Sequence, residues 1–102
     1  MVRYIMSFSV PAGMQEKAQQ IIDEYFEALE KEGPGGMRSQ CYASDNDDCS
    51  FVHIKSFRKE SVANHHFRSA ILKNYQQKID ALSGELPRFS RLMQQKSFES
   101  IY

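Results

Sequence analysis

Apolar and polar positions alternate from the start of the chain. Val2, Tyr4, Met6, Phe8 and Val10 take one side of the alternation and Arg3, Ile5, Ser7 and Ser9 the other. A period of two predicts a strand, and Pro11-Ala12-Gly13 ends it. The period then changes. Met14, Ala18, Ile21, Ile22, Tyr25 and Leu29 recur at helical spacing, with Gln, Glu, Asp and Lys between them. This predicts an amphipathic helix to about Glu32, stopped by Gly33 and Pro34. Gly35-Gly36 leads into a second predicted strand, Met37 to Ala43, and a third is expected from Ser50 to Phe57. The turn cluster Asp45-Asn46-Asp47-Asp48 makes these two a hairpin.

A second helical pattern runs through Val62, Ala63, His66, Phe67, Ala70, Ile71, Tyr75, Ile79 and Leu82. A bend or break is expected near Ser69. The helix start is weakly marked, with Ser61 the available cap. Ser83-Gly84 ends the pattern, and a last strand is expected within Arg88 to Phe98, with Phe89, Arg91 and Met93 on one side and Leu92 on the other. The order β-α-β-β-α-β predicts an α+β, ferredoxin-like sandwich: a four-stranded antiparallel sheet with two helices on one face, as one domain over residues 1–102. The other sheet face would carry Arg3, Ile5, Ser7 and Ser9 from the first strand and Val52, Ile54 and Ser56 from the third. It is neither apolar nor fully polar. A chain this small buries only about two-thirds of its unfolded surface, so a second copy covering that face, in a homodimer, is expected.

Composition narrows the function classes. Thirteen basic and thirteen acidic residues cancel, which gives no general attraction to nucleic acid or to an anionic membrane. No apolar stretch approaches the roughly 20 residues of a membrane span, and the N-terminal residues do not read as a signal peptide. A cytoplasmic protein is expected. Cys41 and Cys49 flank the hairpin loop and could lie opposite each other; reduced thiols are the expected state in that compartment.

His66 is the first candidate for chemistry. It shares a helix stripe with Val62 and Ala70 and should face the sheet, where an imidazole can act as a general base. His53 lies on the strand face of Phe51, Lys55 and Phe57, as a pocket residue or as a partly exposed strand histidine. His65 points about 100° away from His66 and is expected in solvent. Lys55 is a charge on an apolar strand face, with its stem packed and its ammonium in water, or else bound to an anionic substrate group. Tyr4, Met6, Phe8, Phe26, Phe57, Phe67 and Tyr75 would line the space between sheet and helices, as plain core or around a flat apolar ligand. No metal-ligand spacing is present, and the Asp45–Asp48 run lacks the Gly and Glu of a calcium-binding loop. No nucleophile-elbow, phosphate-loop or dinucleotide-binding motif occurs.

Val10-Pro11-Ala12-Gly13 closing the first strand, Phe51-Val52-His53-Ile54-Lys55-Ser56-Phe57 in the third, and Ser61 to Ser69 with His66-Phe67-Arg68-Ser69 resemble the antibiotic biosynthesis monooxygenase family of dimeric α/β barrels. The resemblance covers about Val2 to Phe98. It implies a homodimer whose two sheets form a barrel, and a pocket between each sheet and its helices. It also implies a small cofactor-independent monooxygenase acting on a small quinol-type aromatic, with no metal or flavin. His66 would be the base, and Met6, Phe8, His53, Phe57 and Phe67 the substrate-binding residues. Two departures stand out. Lys55 and Phe57 occupy the places where relatives often carry Glu and Trp. Met6 replaces the Asn on which haem-degrading relatives rely, and the chain has no Trp, which disfavours haem degradation. The alternative is a non-catalytic ligand-binding or structural barrel. RNA recognition shares this element order, but Arg3, Ile5, Ser7, Val52 and Ile54 are poor stacking groups for bases.

Overall fold

The period-two segment at the N-terminus becomes a central strand because both its edges are paired. The computed structural model describes residues 1–101. Strand β1 (Val2–Ser9) lies between β3 (Ser50–Phe57) and β4 (Arg88–Leu92), and β2 (Met37–Ala43) lies outside β3, giving the order β2-β3-β1-β4. All three pairings are antiparallel. Helices α1 (Gln15–Glu32), α2 (Glu60–Phe67) and α3 (Ala70–Ser83) complete the chain. The result is the ferredoxin-like α+β fold expected from the pattern.

The second helical pattern is two helices. At the break, the Ser69 hydroxyl accepts from the Leu72 N–H at 3.3 Å and donates to the His66 carbonyl at 2.7 Å. One serine thus ends α2 and caps α3. The change of axis also alters the stripe: Ala63 and His66 are buried, whereas Ala70 is exposed. Ser61 is not a cap, since α2 begins at Glu60 behind Lys59, with no side-chain cap bond. α1 stops at Gly33, whose N–H donates to the Leu29 carbonyl at 2.8 Å. A β-carbon there would stand 2.4 Å from that oxygen, so only glycine fits. The last strand is shorter than the pattern suggested, ending at Leu92 and leaving Met93 and Phe98 exposed. Its last paired position is Leu92, opposite Arg3.

Register fixes which side chains meet, because directly opposed residues share a face. Tyr4 and Ser39 flank Lys55, and Met6 and Cys41 flank His53. Cys41 therefore faces His53 rather than Cys49, and both thiols are free. The main core joins Met6, Phe8 and Phe51 of the sheet to Ile21, Ile22 and Tyr25 of α1 and Leu72, Tyr75 and Ile79 of α3. A smaller cluster of Val2, Phe57 and Ala63 lies toward α2. No helix among the described residues is long and apolar enough to cross a membrane.

Candidate functional site

Between the main core and the smaller cluster runs a buried polar seam. β3 supplies His53 and Lys55, α1 supplies Tyr25, α2 supplies His66 and α3 supplies Tyr75. Lys55, His53 and His66 are all fully buried. Lys55 Nζ donates to Tyr25 Oη at 2.5 Å and lies 3.2 Å from His66 Nε2, while Tyr25 Oη lies 3.1 Å from the same nitrogen. Beside this triangle, His53 Nε2 and Tyr75 Oη are 2.7 Å apart. The two tyrosine rings stack at 4.1 Å and tie the halves together.

The Lys55 ammonium is thus not in solvent, as its position on a strand had suggested. β3 is an interior strand, and α1 and α2 close over its inner face, so the side chain has no route to water. His53 is likewise buried rather than partly exposed, while His65 is exposed as expected. Tyr25 is the member of the triangle that sequence reasoning missed. Its place in the apolar stripe of α1 reads as core, and only the tertiary contact shows that its hydroxyl is used.

Burial sets the protonation of the seam. Desolvation, opposed by the nearby Cys41 sulfur, pulls the Lys55 amine down to about 7. Burial first and the Lys55 charge second push His53 down to about 3. The same causes, with a smaller push from His65, bring His66 to about 3. Burial raises both Tyr25 and Tyr75 above the usual phenol range, and lifts the Cys41 thiol to about 11. Near neutrality the imidazoles are therefore neutral, and Lys55 is the group poised to gain or lose a proton. With an uncharged amine, His66 Nε2–H can donate to Nζ while Nζ donates to Tyr25. In that arrangement His66 Nδ1 is a bare acceptor, and it has no partner among the described residues. His53 Nδ1 and Ser39 Oγ are also buried without partners.

The predicted pocket residues do surround this seam, but as packed core. Met6 and Phe57 are fully buried, and Phe8 stacks on Phe51 at 5.3 Å. Phe67 sits edge-on to Tyr4 at 4.7 Å and to Phe89 at 5.4 Å. The rings of Phe57, Phe67 and Tyr25 lie 5.7, 5.8 and 6.3 Å from that of His66. Two clefts approach the seam from outside. One of about 310 Å³ between α1 and α3 is lined by Tyr25 and Tyr75. The other, about 170 Å³, opens between the end of α1 and β2, with Phe26, Leu29, Met37 and Ser39 in its wall. Ser39 is the register partner of Lys55.

Elsewhere, Asp47, Asp48 and Cys49 are the ligand-type side chains grouped closely enough to hold a cation among the described residues. The Asp47 carboxylate already accepts from the Cys49 N–H and the Ser50 hydroxyl, as a loop-closing residue does.

No family model matches the chain, and no curated protein matches it. Solved structures do. An antibiotic biosynthesis monooxygenase superposes with a TM-score of 0.78 at 13% identity, over 92% of this chain and 98% of the other. A candidate antibiotic biosynthesis monooxygenase from Nitrosomonas europaea gives 0.77 at 19% identity, over 92% and 89%. A cofactor-independent oxygenase from Streptomyces nogalater, SnoaB, in its N63A form, gives 0.77 at 13% identity, over 97% of each chain. The fold of this chain is therefore that of the antibiotic biosynthesis monooxygenases, the family its sequence resembles.

Proposed function

We propose that the protein is a small cofactor-independent monooxygenase that acts on a small quinol-type aromatic, as a cytoplasmic homodimer. The observation that carries this reading is the Lys55–Tyr25–His66 triangle: a lysine amine sealed in the core with no carboxylate beside it among the described residues. A buried ionisable group without a counter-ion is costly to folding, and perturbed groups of this kind concentrate at functional sites. The fold shared with a cofactor-independent oxygenase points to the same chemistry.

In this reading the triangle takes the quinol proton. His66 and Tyr25 hold the amine, and Lys55 is the group whose affinity for a proton suits neutral pH. The resulting anion is electron-rich enough to reduce oxygen directly. A quinol and O₂ give a hydroxyquinone and water, so the substrate supplies all the electrons and no outside reductant is needed. Met6, Phe8, His53, Phe57 and Phe67 would form the wall against the aromatic ring, with the rings of Tyr25 and Tyr75 moving to admit it from the cleft between α1 and α3.

One observation favours a second reading. His66 is fully buried among aromatic rings, which suits a non-catalytic ligand-binding or structural barrel. Oxygen uptake separates the two. The enzyme reading expects quinol-dependent oxygen consumption that falls by about 10²-fold or more in Lys55→Met and His66→Ala. Purified protein that consumes no oxygen over a panel of quinols leaves the non-catalytic reading standing.

A further inference from the structure

The hydrogen bonds around Lys55 leave its uncharged amine with a free electron pair. A lysine ammonium has three N–H donors and no acceptor; losing one proton leaves two N–H groups and a lone pair. One N–H donates to Tyr25 Oη at 2.5 Å. In the other tautomer of His66, with the proton on Nδ1, Nε2 accepts the second at 3.2 Å. Both N–H groups are then engaged, and the lone pair is left for chemistry.

The surroundings favour that uncharged state. Lys55 is fully buried, and burial, opposed by the nearby Cys41 sulfur, brings its amine to about 7. The titratable groups around it are Tyr25, His53, His66 and Cys41, and none is a carboxylate. Both ion pairs among the described residues, Lys78–Glu24 and Arg91–Glu60, lie elsewhere. Desolvated lysines of this kind attack carbonyl carbon. Tyr25 belongs to the amine's surroundings and to the cleft of about 310 Å³ between α1 and α3, whose wall includes the apolar Ile21, Ala28, Ala70 and Ile71. The charges in that wall, Glu24 and Lys78, neutralise each other at 2.6 Å, so the cleft suits an uncharged guest.

We infer that Lys55 is also a carbonyl-capturing nucleophile, which condenses with a small uncharged aliphatic aldehyde held in this cleft to form an imine. The inference rests on the proposed function for its site and its entry past the Tyr25 ring, and not for its chemistry. The Nζ lone pair forms the C–N bond. Tyr25 gives its hydroxyl proton to the carbonyl oxygen and takes one from Nζ through the existing hydrogen bond, which yields a neutral carbinolamine. His66 Nε2 then takes the second N–H proton and returns it to the departing hydroxyl, which leaves as water. Amine and aldehyde give imine and water, with no oxidant or reductant.

Butanal is the probe. Native protein at pH 7, given equimolar butanal and then sodium borohydride, should carry one secondary amine per chain. Peptide mapping by mass spectrometry should place it on Lys55, at least about tenfold over any exposed lysine, whose amine is protonated at that pH. Lys55→Met, with its fold checked by circular dichroism, should lose that adduct. Tyr25→Phe keeps the nucleophile and removes the proton relay, so labelling of Lys55 should slow by about tenfold or more. No adduct on Lys55, or label spread over the lysines in order of exposure, overturns the inference. Oxygen uptake distinguishes this failure from that of the oxygenase. Quinol-dependent uptake without a Lys55 adduct leaves only the oxygenase standing, and an adduct without uptake leaves only the imine.

Discussion

At the scale of the residue, Lys55 is the position on which most depends. Its pKa is near 7 in the folded chain against 10.5 for a free side chain. As pH falls from about 10.5 to about 7, the unfolded chain takes up a proton that the folded chain refuses, so stability falls through this window and the full penalty stands below it. His53 and His66, lowered from 6.5 to about 3, repeat the effect between those values. The raised Tyr25 and Tyr75 act at the other end: above about pH 10 the unfolded chain loses phenolic protons that the folded chain keeps, and stability falls again. Denaturant titrations should therefore place maximal stability near pH 9 to 10, more alkaline than the usual pH 5 to 8. Lys55→Met should raise stability at pH 7 by on the order of a few kcal/mol and flatten the rise between pH 7 and 10. A variant less stable than native protein at pH 7 would show that the triangle contributes more to folding than its burial costs.

At the scale of the element, the break between α2 and α3 sets the site. A continuous helix through Arg68 and Ser69 would carry Ala70 onto the face of His66, and the stripe read from sequence assumes that. Ser69 instead closes α2 by bonding the His66 carbonyl and opens α3 by accepting from Leu72. Ser69→Ala should cost about 1 kcal/mol, seen as a lower denaturation midpoint with an unchanged slope. A lowered slope as well would mean that losing the cap loosens the native packing around His66. Gly84 ends α3 in the left-handed region at φ 84°, the conformation that the Ser83-Gly84 pair leads one to expect.

At the scale of the whole molecule, the outer sheet face is unfinished. Ile5, Val52 and Ile54 are half-buried there by their own neighbours alone, and Tyr42 and Leu92 are exposed. Sedimentation at micromolar concentration should return twice the 11.8 kDa chain mass, and Ile54→Glu, which sets a charge in the centre of that face, should shift the protein toward monomer. A native protein that stays monomeric removes the dimer from the proposed function. It would leave the barrel architecture without its second half.

Local pattern determined the architecture, because the periods of two and 3.6 are properties of consecutive residues and survive without knowledge of the fold. The strands, α1, the hairpin at Asp45–Asp48 and the break near Ser69 were legible for that reason. The end of β4 was not, since the alternation of Phe89, Arg91 and Met93 runs on past the last paired residue, Leu92. Sequence also picked out His66 and His53 as inward-facing, which needs only helix stripe and pleat. What lies around an inward-facing group depends on residues distant in the chain. Tyr25 comes to Lys55 across 30 positions, and no period announces that contact. Only the tertiary structure decided that the Lys55 amine is sealed from water and that both imidazoles are fully buried, because desolvation and packing arise from the closing of α1 and α2 over β3.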